Sequence, residues 1–337
     1  MRARRIVIWT LGLLIGLPLL LGLAAWVYVV RMPGQTGRHA LPPLTPAQIE
    51  LRRGLERHVR ELAGRIGERN SVHHAALEQA ASYIEQELAG IGYTVSSQRW
   101  TGAGGLSFRN VEVTIPGRDK RAGGVVVGAH YDSNRGTPGA DDNASGVAAL
   151  LELARQLRRD SLARTIHLVA FTNEEVPFFG TPDQGARRYV AALQDRGDVV
   201  RSMLSIETIG YYASGAKTQL YPAPLNWFYP DTGNFIGFVG NLSSRALVHE
   251  TISAFRRHTP FPSHGAAAPA SIPGVGWSDH EAFWAAGIPA VMITDTAPFR
   301  NPYYHTMRDT PDRIDYERMT YVVDGLAAVI RQLASGR

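Results

Sequence analysis

Three sets of residues able to do acid–base or metal chemistry fall just past short apolar runs. His130 and Asp132 follow Gly-Gly-Val-Val-Val-Gly-Ala, Glu174 and Glu175 come after Ile-His-Leu-Val-Ala-Phe, and Glu207 follows Ser-Met-Leu-Ser-Ile. Runs of this kind, rich in Val and Ile, read as buried strands, and in an open α/β sheet ligands bind at the carboxyl ends of the strands. The spacing therefore predicts one polar cluster on one edge of one sheet. Its parts have complementary chemistry: His130 and Asp132 form His-x-Asp, Asp141-Asp142-Asn143 sits on a Gly-Ala turn ahead of a helix, and Glu174-Glu175 pairs two carboxylates. Adjacent carboxylates repel, and burying them without a cation is costly. A divalent metal removes that cost. Imidazole and carboxylate donors without thiolate suit zinc, with manganese, cobalt and nickel open in principle. A catalytic metal also needs a position for water, whose pKa it lowers to about 7, and a base to take the proton. Glu174 and Glu175 can divide those roles, one as base and one as ligand.

The elements that must position this cluster alternate along the chain. Strands are predicted over 93–97, 110–115, 124–129, 165–171, 203–206 and 290–294, and helices over 146–158, 185–193, 246–257, 281–286 and 316–333. That alternation predicts an α/β fold, a three-layer αβα sandwich in one domain. Ahead of it, Thr45-Pro46-Ala47-Gln48 reads as an N-cap, a first-turn proline and a capping-box partner. Leu51, Leu55, Leu62 and Ile66 then keep helical spacing, and Leu77, Ala81, Ile84, Leu88 and Ile91 mark a second helix.

Composition bounds the body that carries these elements. The chain has 337 residues, 45% apolar and 19% charged, enough for one large globular domain plus an extension. Its formal charge of +5 is concentrated at the start: residues 1–60 hold nine Arg and two Glu, so the remainder is about −2. This excludes a basic nucleic-acid-binding domain. With no cysteine there is no disulfide framework and no thiolate site. Met1-Arg2-Ala3-Arg4-Arg5 precedes a mostly apolar, uncharged run over 6–30, long enough to span a hydrocarbon core of about 30 Å. The expected organisation is a membrane anchor over 1–31, a Pro/Gly linker over 32–44 and a catalytic domain over 45–337. Arg2, Arg4 and Arg5 on the cytoplasmic side would place that domain on the far side, although Arg31 and Arg38 oppose the asymmetry. The expectation is a single-pass protein of a bacterial inner membrane with its domain periplasmic or extracellular. A cleaved signal sequence is the alternative.

Five motifs in order, His130-Tyr-Asp-Ser, Gly139-Ala-Asp-Asp-Asn-Ala-Ser-Gly146, Asn173-Glu-Glu, Ser278-Asp-His-Glu-Ala-Phe and Tyr303-Tyr-His-Thr, resemble the MH-clan dizinc exopeptidases. That family includes bacterial leucine aminopeptidases, glutamate carboxypeptidases and the single-zinc glutaminyl cyclases. The resemblance covers roughly residues 55–335 and implies a largely parallel mixed central sheet with a pair of Zn ions. It implies that Asp142 bridges both metals, that His130 and Glu207 complete one shell, and that Glu175 and His305 complete the other. Many relatives carry Asp where this chain has Glu207. A cis peptide between Asp142 and Asn143 is implied as well. Asp132 would then orient His130 through the second ring nitrogen, and Tyr304 would hydrogen-bond the tetrahedral intermediate. Asp279 and His280 would orient the site or form a packed structural pair.

The reaction so implied is hydrolysis of a terminal peptide bond of a peptide substrate, with a metal-bridging hydroxide as nucleophile and Glu174 as general base. An aminopeptidase needs an acidic or carbonyl group for the free amine, offered by Glu174 or Glu207, and a side-chain pocket walled by Tyr221, Trp227, Phe228, Tyr229 and Phe235. A carboxypeptidase needs a cation for the terminal carboxylate, for which Arg187, Arg188 and Arg300 are candidates. The aminopeptidase is favoured, ahead of a glutaminyl-cyclase-like acyltransferase and a non-catalytic binding domain.

Overall fold

The structure, a computed structural model, describes residues 14, 16–24, 26–37, 40–119 and 121–336. Among them, strands β1 (Ser96–Thr101), β2 (Ser107–Ile115), β3 (Gly124–His130), β4 (Ile166–Phe171), β5 (Val200–Glu207), β6 (Ile236–Gly240), β7 (Ser263–Ala267) and β8 (Ala290–Thr294) form one sheet. Their spatial order is β1-β2-β4-β3-β5-β8-β6-β7. The centre, β4-β3-β5-β8, is parallel. β1 and β2 add an antiparallel edge, while β6 runs against β8 and carries β7 parallel to itself. The sheet is mixed, as expected.

Alternation along β3 shows how the layers are built. Val125 and Val127 belong to one core cluster and Val126 to another, because successive side chains leave opposite faces of a strand. Helices α1 (Pro46–Val59), α2 (His74–Ile91), α3 (Gly146–Leu157), α4 (Gly185–Arg196), α5 (Arg245–His258), α6 (His280–Ala285) and α7 (Tyr316–Ala334) supply the cover. α1, α2, α3, α5 and α7 pack on the Val125 face, through Leu55, Leu77, Leu150, Phe255 and Val322 among others. α4 and α6 pack on the Val126 face through Tyr189 and Phe283. Every residue of β3 is buried, so the strand reads as an apolar run up to His130, its last residue. Each fully buried Val, Leu or Phe contributes about 1.5–3 kcal/mol.

The start of α1 follows its sequence signature. Thr45 Oγ1 accepts from Gln48 N at 3.3 Å and Thr45 N donates to Gln48 Oε1 at 3.0 Å. The strand expected over 93–97 is displaced to β1, because Gly92 ends α2 in the left-handed region (φ 99) and Tyr93 turns inward to donate to Ala154 O. Of the expected anchor over 1–31, residues 1–13, 15 and 25 lie outside the described residues. Among the described ones no helix is long and apolar enough to cross a membrane. The described end of the expected anchor and the described part of the linker lie against the domain: Arg245 Nε donates to Tyr28 O (2.8 Å), Arg256 Nη1 to Pro33 O (2.8 Å) and Ser263 N to Thr36 Oγ1 (2.8 Å).

Candidate metal centre

Parallel strands deliver the donors to one edge of the sheet. His130 is the last residue of β3, Glu207 is the last of β5, and Glu174 and Glu175 stand just beyond β4. Asp142 comes from the loop Ala140–Ser145 that leads into α3. Asn143 ties this loop to β5: its Nδ2 donates to Ile206 O (2.9 Å), and its Oδ1 accepts from Gly146 N (3.0 Å) and Thr208 N (3.1 Å). A Cβ at Gly146 would press on Asn143 Oδ1 and Ile206 O, which explains the motif's final glycine. On the other side the Asp309 carboxylate accepts from Asp141 N (2.9 Å) and Asp142 N (3.1 Å). The Asp142–Asn143 peptide is cis, as the resemblance implies.

Two donor sets result. His130 Nε2 lies 3.2 Å from Asp142 Oδ1 and 3.2 Å from Glu207 Oε2. His305 Nε2 lies 2.9 Å from Asp142 Oδ2 and 3.3 Å from Glu175 Oε1. Within each set, His130/Asp142/Glu207 and Asp142/Glu175/His305, the donor atoms lie within 4.8 Å of one another, and Asp142 belongs to both. His130 Nε2 and Glu175 Oε1 are buried without a hydrogen-bond partner. Buried polar atoms in that state are rare, and a cation in each donor set would satisfy them. The residues present therefore fit the metal. Non-glycine backbone in the left-handed region is uncommon, yet Asn173 (φ 58), Thr208 (φ 45) and His305 (φ 57) adopt it at or beside these donors.

Charge is concentrated here. Burial alone would lower His130, but Glu207 and Glu174 outweigh it and hold the ring well above its usual value. Burial would raise Asp142, yet its bonds to His130 and His305 hold it below the usual carboxylate range. Glu174 is raised well above that range and Glu175 to about 7, both by burial first, although His130 pulls the other way on Glu174. His305 is pushed up to about 10, burial being overcome by its bonds to Asp142 and Glu175. Glu174 belongs to neither donor set, with its Oε2 3.9 Å from His130 Nε2.

Residues 110–330 match peptidase family M28. The chain belongs to that family. It is 36% identical over 323 residues to the uncharacterized protein YfbL of Escherichia coli (strain K12), covering 93% of this chain and 94% of that one. It is 26% identical to the probable leucine aminopeptidase 1 of Trichophyton verrucosum, over 76% and 68% of the two chains. Among solved structures, BSAP, a zinc aminopeptidase from Bacillus subtilis, shares the fold with a TM-score of 0.67 at 16% identity, covering 83% and 94%. A glutaminyl cyclase of Tannerella forsythia shares it with a TM-score of 0.59 at 21% identity, covering 83% and 98%.

In this M28 chain the remaining candidates take distinct places. Asp132 Oδ1 is 3.6 Å from His130 Nδ1, beyond hydrogen-bond range, and the ring nitrogen instead meets the Asp132 carbonyl at 3.2 Å. The Asp132 carboxylate accepts from Glu174 N (3.2 Å) and Glu175 N (3.1 Å), so it aims the acidic pair. Ser278 Oγ donates to Glu207 Oε2 at 2.7 Å, steadying that side chain. Tyr304 stacks on His305, ring centroids 3.8 Å apart. Asp279 is buried near Glu207 and pushed up to about 8, chiefly by that burial. His280 bonds Val275 O at 2.8 Å and is pushed down to about 4 by burial, a packed structural residue.

A pocket opens beside Glu207 and Tyr304. Tyr221, Tyr229 and Phe235 line it as expected, joined by Trp277, Met292 and Phe299. Trp227 points away, 78% exposed, and Phe228 is not among the lining residues. Arg187 pairs with Glu281 (2.5 Å) and Arg188 with Asp183 (2.7 Å). Arg300 is buried behind Phe235, donating to Gln219 Oε1 (2.7 Å) and Phe235 O (2.8 Å). Sequence reasoning missed Asp309, Ser278 as a partner of Glu207, and Arg69. The buried Arg69 guanidinium donates to the carbonyls of Tyr131 (2.6 Å), Pro138 (2.6 Å) and Gly139 (2.9 Å), joining the two donor loops. No local pattern announces such contacts, since their partners lie far away in sequence.

Proposed function

We propose that this M28 chain is a dizinc aminopeptidase in which His130, Asp142 and Glu207 hold one ion and Asp142, Glu175 and His305 the other. The observation that carries the reading is the pair of complete donor sets sharing Asp142, with Glu174 poised outside both. Zinc there supplies a Lewis acid that polarises a peptide carbonyl and lowers the pKa of water to about 7. Glu174 takes the proton from the attacking water and returns it to the leaving amine, a role suited to a carboxyl raised by burial. The Tyr304 hydroxyl steadies the oxyanion. Glu207 or Glu174 meets the free amine, and the pocket beside them takes the first side chain.

The aminopeptidase reading over a carboxypeptidase is supported by the arginines, because Arg187 and Arg188 are paired with acids and Arg300 lies behind the pocket wall. The cyclase reading needs only one of the two donor sets. Glu174→Gln is expected to keep its metal and lose about 10²–10⁴ in kcat on aminoacyl-anilides. Loss of metal from that variant would remove Glu174 from the role of base.

We also propose that residues 1–31 anchor residues 45–337 to a bacterial inner membrane with the catalytic domain on the periplasmic or extracellular side. The support is the apolar run over 6–30 behind Arg2, Arg4 and Arg5. Recovery of the full chain in the soluble fraction would refute it.

A further inference from the structure

Four neighbouring strands place the pocket's residues in one row. Glu207 on β5 pairs with Thr294 on β8, Thr294 with Gly237 on β6, and Gly237 with His264 on β7. All four line the pocket. With strands about 4.8 Å apart, the backbone of His264 stands on the order of 14 Å from that of Glu207. Gly237 leaves the floor next to His264 without a side chain, Thr294 being the one side chain of the row between the two ends. A side chain that enters beside Glu207 therefore runs along this floor toward His264.

The polar groups of that end can be accounted for one by one. The Tyr221 hydroxyl donates to Pro230 O (2.8 Å) and the Tyr229 hydroxyl to Gly265 O (2.7 Å). Thr294 Oγ1 accepts from Thr296 N (2.8 Å), and Thr296 Oγ1 bonds Gln219 Oε1 (3.1 Å). Tyr304 stands at the other end, against His305, and Trp277 is half exposed. His264 meets its neighbours by ring contact alone, edge to face with Phe235 (4.7 Å) and with Tyr229 (6.0 Å). Among the described residues neither of its ring nitrogens has a hydrogen-bond partner.

We propose that His264 makes this pocket select an N-terminal tyrosine, by hydrogen-bonding the phenol at the tip of the side chain. The assignment rests on the aminopeptidase reading above. Burial first, then the charges of Arg256 and Arg300, push the His264 ring down to about 4, so it is neutral at pH 7. A neutral imidazole offers one N–H and one lone pair, the complement of a hydroxyl that both donates and accepts. The same two arginines stand against a Lys or Arg side chain, and the apolar walls of Phe235, Val239, Met292 and Phe299 make an unpaired carboxylate costly.

The test compares Tyr-, Phe-, Leu- and Glu-anilides on the zinc-loaded full chain, alongside calorimetric binding of free L-tyrosine and L-phenylalanine. The expected result is a Tyr over Phe preference of about tenfold or more in kcat/KM and in affinity. In His264→Leu that ratio falls to about one, and in His264→Gln, which keeps a donor and an acceptor, it is partly restored. Equal use of Tyr and Phe by the wild type, preference for Glu, or a ratio unmoved by His264→Leu would overturn the assignment while leaving the aminopeptidase reading intact. No hydrolysis of any anilide, with calorimetry still showing a His264-dependent tyrosine preference, would sink the aminopeptidase reading and keep the pocket assignment.

Discussion

Asp142 directs one carboxylate oxygen toward His130 and the other toward His305, so its replacement acts on both donor sets, whereas His305 serves only one. Metal analysis of purified variants checks this: Asp142→Asn is expected to lose both ions and His305→Ala one. Retention of full metal by Asp142→Asn would contradict the shared role. Ser278 acts a step further out, through its hydrogen bond to Glu207. Partners of this kind are worth about 10–100-fold in metal affinity, so Ser278→Ala is expected to weaken binding by that order while leaving thermal stability of the metal-free protein nearly unchanged. Equal zinc affinity in a competition titration would show that Glu207 does not need the hydroxyl.

At the scale of elements, precision comes from side chains that bind backbone. Asn143 joins the Asp142 loop to the end of β5 by two hydrogen bonds and braces the start of α3 by a third, from Gly146 N, and its truncation leaves buried backbone groups unpaired. Asn143→Ala is expected to cost about 3 kcal/mol of stability, read from denaturant unfolding, and to lower metal retention. A variant as stable as the wild type would mean water or backbone movement replaces those bonds. Thr45→Ala removes the cap of α1 and should cost about 1 kcal/mol without touching activity. The strands that carry donors were legible because their Val-rich runs stop at acidic or imidazole residues. β6 and β7 were not, since Ile236–Gly240 and Ser263–Ala267 are short and rich in Gly, Ala and Ser. The donors themselves were legible through motif spacing. Asp309 and Arg69 were not, because each acts on a segment far away in sequence. Asp132 stands out in the sequence as a partner of the His130 ring, whereas its carboxylate accepts from the amides of Glu174 and Glu175 and lies 3.6 Å from that ring.

For the whole molecule, metal, protons and stability are linked. In the metal-free protein His305 rises from its ordinary 6.5 to about 10, and His130 is raised in the same direction. A raised histidine stabilises the fold fully below its unfolded value, and that contribution is lost as pH climbs through the folded one. Glu175, raised from 4.5 to about 7, acts in the same sense, since its ionisation is disfavoured in the fold. The metal-free protein should therefore lose thermal stability as pH rises from about 4.5, the unfolded value of Glu175, to about 10, the folded value of His305. Bound metal must displace those protons, so loading releases protons and grows tighter across the same window. Thermal melts with and without chelator at several pH values check both signs, and a gap that narrows as pH rises would contradict them.

The most direct test is metal content of the purified full chain, together with hydrolysis of aminoacyl-anilides before and after chelation. About two zinc ions per chain, with hydrolysis abolished by chelator and restored by zinc, is the predicted result. One ion without amide hydrolysis, or none, would contradict the dizinc aminopeptidase.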